Sequence, residues 1–318
     1  MKLQYMRTLL LLCGLMFAVS ALNAQTDKLS QSDADFIRAQ EDTLSLLAYA
    51  VLTDSSAEER FLACREMIPR LVNGLKRPNS FQYDFERLGQ HVSVQYPADS
   101  SFRVFTWQLH VNRDEYRYYG AIQLNSPELK LYPLIDRSFE LPDPIEQLDL
   151  TPDRWYGNII YNIQQVTQEG TEPYYLLYGF DTYSAYRRRK LLDVLQFVDG
   201  QPTFGRAIFA GGGDASAEGS WNARKRLLLE YSAAVSVTLR FDEDLQQIMM
   251  DHLILTDGQY GEGPVYVPDG SYEAYKLQED GSWAYIEKVF HHTFDEAPRE
   301  AGEESSSGGR DIFGRPRN

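Results

Sequence analysis

Cysteine is almost missing: the 318 residues hold two, together with five histidines. Two thiols cannot staple a disulfide scaffold. The histidines, at 91, 110, 252, 291 and 292, form no His-Glu-x-x-His pair of the kind that seats zinc on one helix face. No Gly-x-Ser-x-Gly elbow is present to expose a nucleophilic serine. Gly211-Gly212-Gly213 lacks the Lys-Ser or Lys-Thr that completes a phosphate loop. Asp242-Glu243-Asp244 lacks the turn glycine and the distant bidentate glutamate of a calcium loop, so it reads as a hairpin cap. No cofactor or metal is expected. Basic charge is also short, with Lys+Arg 31 against Asp+Glu 46 and a net charge of −15, a field that repels nucleic acid and anionic membrane surfaces.

Long apolar runs are missing too, apart from one near the start. Lys2 and Arg7 precede the apolar run 9–19, and Ser20, Ala21 and Ala24 follow it. That order of charged, greasy and small residues predicts a secretory signal peptide over residues 1–24, with an exported product, periplasmic or extracellular. The run is too short to span a bilayer, so no membrane span is expected. Cys13 leaves with the leader. Cys64 then sits on a helix stripe, where a packed and inert thiol is expected.

What is present falls into three further segments. Residues 25–79 read as an N-terminal helical hairpin. In its first helix Phe36, Gln40, Leu44, Leu47 and Val51 mark one stripe, and in its second Phe61, Cys64, Ile68, Leu71 and Leu75 mark another. Ser56 with Glu59 forms a capping box, while Pro69 predicts a kink or restart. Neither stripe can stay exposed, so the pair should dock on another element. Residues 80–294 read as an antiparallel β domain. Phe105, Trp107, Leu109 and Val111 alternate with polar residues, as do Val235, Val237, Leu239 and Phe241. Asp-Gly pairs at 199, 257, 269 and 280 punctuate the second half as hairpin signals. The fold class is therefore mainly β: an antiparallel multi-strand meander, sandwich or barrel, with a propeller-like arrangement as second choice and no helix after residue 80.

Two registers follow from the pattern. A two-residue turn at Asp280-Gly281 sets Tyr275 opposite Ile286 and Leu277 opposite Ala284. A three-residue turn at 232–234 sets Leu229 opposite Val237 and Leu227 opposite Leu239. Residues 295–318 are rich in Glu, Ser and Gly and read as a flexible tail. Its last part, 310–318, is basic and apolar, which makes it a candidate docking peptide.

The runs Phe102-Arg103-Val104-Phe105-Thr106-Trp107-Gln108-Leu109 and Tyr174-Tyr175-Leu176-Leu177-Tyr178-Gly179-Phe180-Asp181 resemble segments of an uncharacterised family of secreted Bacteroidetes proteins. Leu191-Leu192-Asp193-Val194-Leu195 and Tyr266-Val267-Pro268-Asp269-Gly270-Ser271-Tyr272 extend the likeness over about residues 60–290. The resemblance implies export to the bacterial envelope. It brings no catalytic residue with it.

Aromatic surface is the better functional signal. By the register above, Trp283 and Tyr285 fall on the polar side of their hairpin with Tyr272, where rings beside Lys276 and Glu287 suit stacking on a sugar or gripping a peptide. The competing reading covers these rings with the helical hairpin. Arg187-Arg188-Arg189-Lys190 is the one basic run, and its residues alternate faces on a strand. It protects a sheet edge, or it offers Arg188 with Tyr183 and Tyr186 as an anion seat. Asp251 and His252 should face opposite ways unless a bulge intervenes. These features favour an exported non-catalytic binding or assembly protein, with an envelope protein or glycan as partner. The alternative is an envelope glycan or peptide hydrolase whose carboxylate pair is spatial and hidden from the sequence.

Overall fold

The computed structural model describes residues 28–168, 170–212, 223–258, 262–287 and 289. The signal segment 1–24, the pair His291-His292 and the tail 295–318 lie outside the described residues. Two helices come first: α1, Gln31–Thr53, and α2, Ala57–Leu75. Ser30 accepts a hydrogen bond from the Asp33 N–H and starts α1, and Ser56 does the same for Glu59 and α2. Beyond Leu75 the described helical turns are all short 3-10 pieces.

The strands form three sheets. The first comprises β1 (Ser93–Gln95), β2 (Phe102–Asn112), β3 (Glu115–Leu124) and β4 (Leu131–Ile135), paired in that order. The second comprises β5 (Ile159–Val166), β6 (Tyr174–Asp181), β7 (Arg187–Val198), β8 (Gln201–Phe204) and β10 (Leu227–Ser232). Its order is β10-β7-β6-β5, with β8 also on β7. The third comprises β9 (Phe209–Ala210), β11 (Leu239–Asp242), β12 (Gln247–Asp257), β13 (Pro264–Leu277) and β14 (Trp283–Ile286), in the order β11-β12-β13-β14-β9. All ladders are antiparallel except the short β14–β9 pair.

Strand alternation turns these sheets into a stack of four layers. In β2, Phe105, Trp107 and Leu109 meet Leu44, Val51, Cys64 and Leu71 of the helices. Phe102 and Val104 point the other way and join Tyr175, Leu177, Leu191 and Leu195 of the second sheet. Tyr174, Leu176, Tyr178, Leu192 and Val194, on that sheet's far face, meet Leu239, Ile248, Met250, Tyr275 and Trp283 of the third. The second sheet is therefore covered on both faces, which is why β6 and the middle of β7 read as nearly unbroken apolar runs. No sheet among the described residues closes into a barrel.

Several sequence expectations shift. The buried stripe of α1 is Ile37, Glu41, Leu44, Ala48 and Val51, one position from that expected at three of the five places, because Glu41 is drawn inward. Its carboxylate accepts from Tyr83 Oη and from the Arg87 and Leu88 N–H groups. α2 runs through Pro69 without interruption. Pro69 and Arg65 are exposed, so the carbonyl deprived of its donor faces solvent. Phe61 is on the outside of α2.

The last hairpin is off by one. Leu277 pairs with Trp283 and Tyr275 with Tyr285, closed by the Gln278 N–H on Ser282 O, so the loop is three residues and Gly281 takes φ +86°. A one-residue change of register exchanges faces. The expected 227–239 hairpin does not form: β10 pairs with β7 and β11 with β12. Leu227, Leu229, Val237 and Leu239 still share a core, facing one another across two sheets.

Candidate functional site

At one end of the stack a cleft of about 540 Å³ opens between the first two sheets. The β2–β3 turn and the start of β3 form one wall, the end of β6 and Arg189 of β7 form another, and the segment around Phe139 forms the third. Asp136 ties that segment down. Its carboxylate accepts from Ser138 N and Oγ, from Tyr118 N and from Gly157 N. A Cβ on Gly157 would lie 2.4 Å from Asp136 Cγ, so only glycine allows the approach.

The floor is a closed polar network. Tyr118 Oη donates to Asp181 Oδ1 at 2.8 Å and accepts from the Thr182 N–H at 2.7 Å. Tyr156 Oη donates to Asp181 Oδ2 at 2.8 Å and accepts from Arg189 Nη1 at 2.9 Å. The Tyr183 N–H also reaches Asp181 Oδ1, at 2.8 Å. Arg189 spends Nε and Nη2 on Glu230, which holds Arg187 with its other oxygen. Burial raises the Asp181 carboxyl above its ordinary pKa, against the pull of Tyr156, Tyr118 and the Tyr183 N–H. Burial, with Asp181 adding to it, pushes the Tyr118 and Tyr156 hydroxyls upward. Burial draws Arg189 down, but Tyr156 and Glu230 outweigh it and hold the guanidinium above its ordinary value.

The rim presents rings and charges. Phe139 is 62% exposed, with the Arg117 guanidinium 4.7 Å from its centroid. Tyr183, held at φ 52°, stacks on Arg189 at 3.5 Å. Just outside, Arg113 lies 5.0 Å from the Tyr186 ring centroid and donates to its hydroxyl at 2.6 Å. Four carboxylates line the cleft, those of Asp114, Glu115, Asp143 and Asp181. Glu115 pairs with Arg117 at 2.6 Å, and Asp114 accepts the Ala185 N–H at 3.2 Å. Asp143 has no partner among the described residues.

The sequence-predicted residues divide. Tyr186 stands beside the cleft mouth, as above. Arg188 points to the opposite face of β7 from Arg189 and is satisfied by the Thr182, Ser184 and Arg187 carbonyls. β7 is flanked by β6 on one side and by β10 and β8 on the other, so its basic run guards no edge. Trp283 is a correction: it is 1% exposed, donates from Nε1 to Tyr174 Oη at 2.9 Å, and is covered by the second sheet. Tyr285 packs half-buried against Tyr275, with ring centroids 5.5 Å apart. Tyr272 is half-buried on β13, opposite Asp251. All three belong to the third sheet, beyond the second sheet from the cleft.

Asp251 and His252 should face opposite ways unless a bulge intervenes, and the β12–β13 register does shift there, with residues 269–271 of β13 set against His252 alone. His252 Nδ1 lies 2.9 Å from Asp269 Oδ2, while Asp251 Oδ2 accepts the Thr238 N–H. Cys64 is buried beside Trp107 Nε1, and burial pushes its thiol up.

The residues not anticipated are Tyr118, Phe139, Tyr156 and Asp181, and of the basic run 187–190 it is Arg189, not Arg188, that lines the cleft. One signal was available: Asp181 closes an eight-residue strand otherwise free of charge, and an acid in a doubly buried strand needs dedicated donors. No protein-family description, characterised protein or solved structure matches this chain.

Proposed function

We propose that this chain is an exported, non-catalytic binding or assembly protein of the bacterial envelope, and that the cleft between its first two sheets is the ligand seat. One observation carries the reading. Both oxygens of Asp181 and both tyrosine hydroxyls beneath the cleft are engaged with internal partners, an arrangement that holds the shape of the floor. Above it, Phe139, Tyr183 and Tyr116 offer rigid aromatic contact at small entropic cost. Export enters from the signal-like segment and from the resemblance to secreted Bacteroidetes proteins.

The test uses residues 25–318 immobilised and exposed to soluble glycan and peptide fragments of the envelope. The unmodified protein should retain a set of fragments that Phe139→Ala/Tyr183→Ala retains at least tenfold less. Equal retention by both proteins would remove the cleft from the proposal.

A second reading, hydrolysis of an envelope glycan or peptide, is favoured by the gathering of Asp114, Glu115, Asp143 and Asp181 in one cleft. It requires that new reducing or amino termini accumulate with the unmodified protein and fail to accumulate with Asp143→Asn. The binding reading expects none from either.

A further inference from the structure

We infer that the ligand chemistry of this cleft is an arginine-bearing peptide, and that residues 310–318 of the same chain are one such occupant. The inference rests on the reading of the cleft as a ligand seat. Four carboxylates line the cleft against two guanidiniums, Arg117 and Arg189, so the lining is negative and disfavours an anion. Both of those arginines are already spent on Glu115 and Glu230, whereas the Asp143 carboxylate has no partner among the described residues. Three ring–guanidinium stacks surround the opening, Arg117 on Phe139, Arg189 on Tyr183 and Arg113 on Tyr186. Each of these rings holds a guanidinium on one face and keeps exposed surface, 62% for Phe139, 39% for Tyr183 and 37% for Tyr186, and that surface together with the Asp143 carboxylate suits a further guanidinium.

The chain carries a matching sequence. Residues 310–318 read Arg-Asp-Ile-Phe-Gly-Arg-Pro-Arg-Asn, with three arginines and one acid on a protein of net charge −15. Pro316 restricts the backbone between two arginines and lowers the entropy lost on docking.

Reach is also satisfied. The described chain leaves the third sheet at Val289, whose N–H donates to Tyr272 O. The second sheet lies between that exit and the cleft, so the tail has at least two sheet spacings, about 20 Å, to cross. About 20 residues lie between Val289 and Arg310, and a random coil of about that length has a root-mean-square span of roughly 25 Å and a much longer contour. A linker matched to its span places the segment at millimolar effective concentration, so even weak docking fills the seat. An external ligand must then displace it, and the occupied fraction reduces that ligand's apparent affinity.

A fluorescein-labelled synthetic peptide of residues 302–318 tests this by anisotropy. It should bind a protein ending at residue 309 saturably, and bind the protein of residues 25–318 at least tenfold more weakly because the seat is occupied in cis. Asp143→Asn in the shortened protein should weaken the peptide at least threefold, Asp114→Asn/Asp143→Asn further, and Arg315→Ala/Arg317→Ala in the peptide should do the same. No saturable binding to the shortened protein overturns the inference. Equal binding to the shortened and full proteins, or to the shortened protein and its Asp143→Asn variant, overturns it as well. If the shortened protein still retains envelope fragments in a Phe139- and Tyr183-dependent way, the ligand-seat reading survives that failure. If it does not, both fall.

Discussion

Trp283 shows how much one side chain carries. Its indole lies between the second and third sheets at 1% exposure, edge-on to Phe241 with centroids 6.4 Å apart, and its N–H meets Tyr174 Oη. Trp283→Ala removes the ring and leaves a cavity, so unfolding free energy should fall by about 3–5 kcal/mol. Trp283→Phe keeps much of the contact area and forfeits the hydrogen bond, so the loss should be about 1–3 kcal/mol. Urea midpoints, converted with an unchanged m-value, check both. A loss below about 1 kcal/mol for the alanine variant would contradict the buried position. That position was not legible in the sequence, since the assumed two-residue turn turned Trp283 outward. Gly281 at φ +86° supplies the extra turn residue, and neither turn is excluded by Asp280-Gly281 alone. Asp181 was hidden for a different reason: its partners Tyr118 and Tyr156 lie 63 and 25 residues away.

At the scale of elements, the Asp-Gly pairs explain what local pattern can and cannot say. Asp199-Gly200 is the two-residue turn it resembles, joining Val198 to Gln201 with φ +50° and +75°. A Cβ on Gly200 would meet nothing within 4 Å, so Gly200→Ala should cost only the left-handed backbone term, about 1 kcal/mol. Thermal midpoints read this directly, and a cost above about 2 kcal/mol would mean that packing is involved after all. Asp269-Gly270, with the same two letters, forms a bulge inside β13 and turns nothing. Alternation was legible because a twofold period survives whichever strand lies alongside. The partner is another matter: Leu227 pairs with Leu192 and not with Leu239, a choice made by contacts between sheets that no short window contains.

The whole molecule is a stack in which every sheet has at least one covered face, and its tyrosines record that. Burial pushes Tyr119, Tyr175 and Tyr275 up to about 12 from an ordinary value of 10.0. Burial raises Tyr118, Tyr156, Tyr161 and Tyr178 further still. These groups belong to all three sheets and to the loop before β5, so their titration is a property of the assembled layers. A phenol whose folded pKa lies above its unfolded value contributes stability that is complete below about pH 10. That stability is lost as pH rises through the folded value, because the unfolded chain releases the proton first. Seven such groups acting together should leave the fold intact up to about pH 10 and remove it steeply above that. Absorbance at 295 nm reads the ionisation of the phenols. The buried set should then ionise in one step that coincides with loss of the β-sheet circular dichroism signal. Ionisation of all the tyrosines near pH 10 with the dichroism unchanged would mean that the layers admit water, and the stacked arrangement would have to be abandoned.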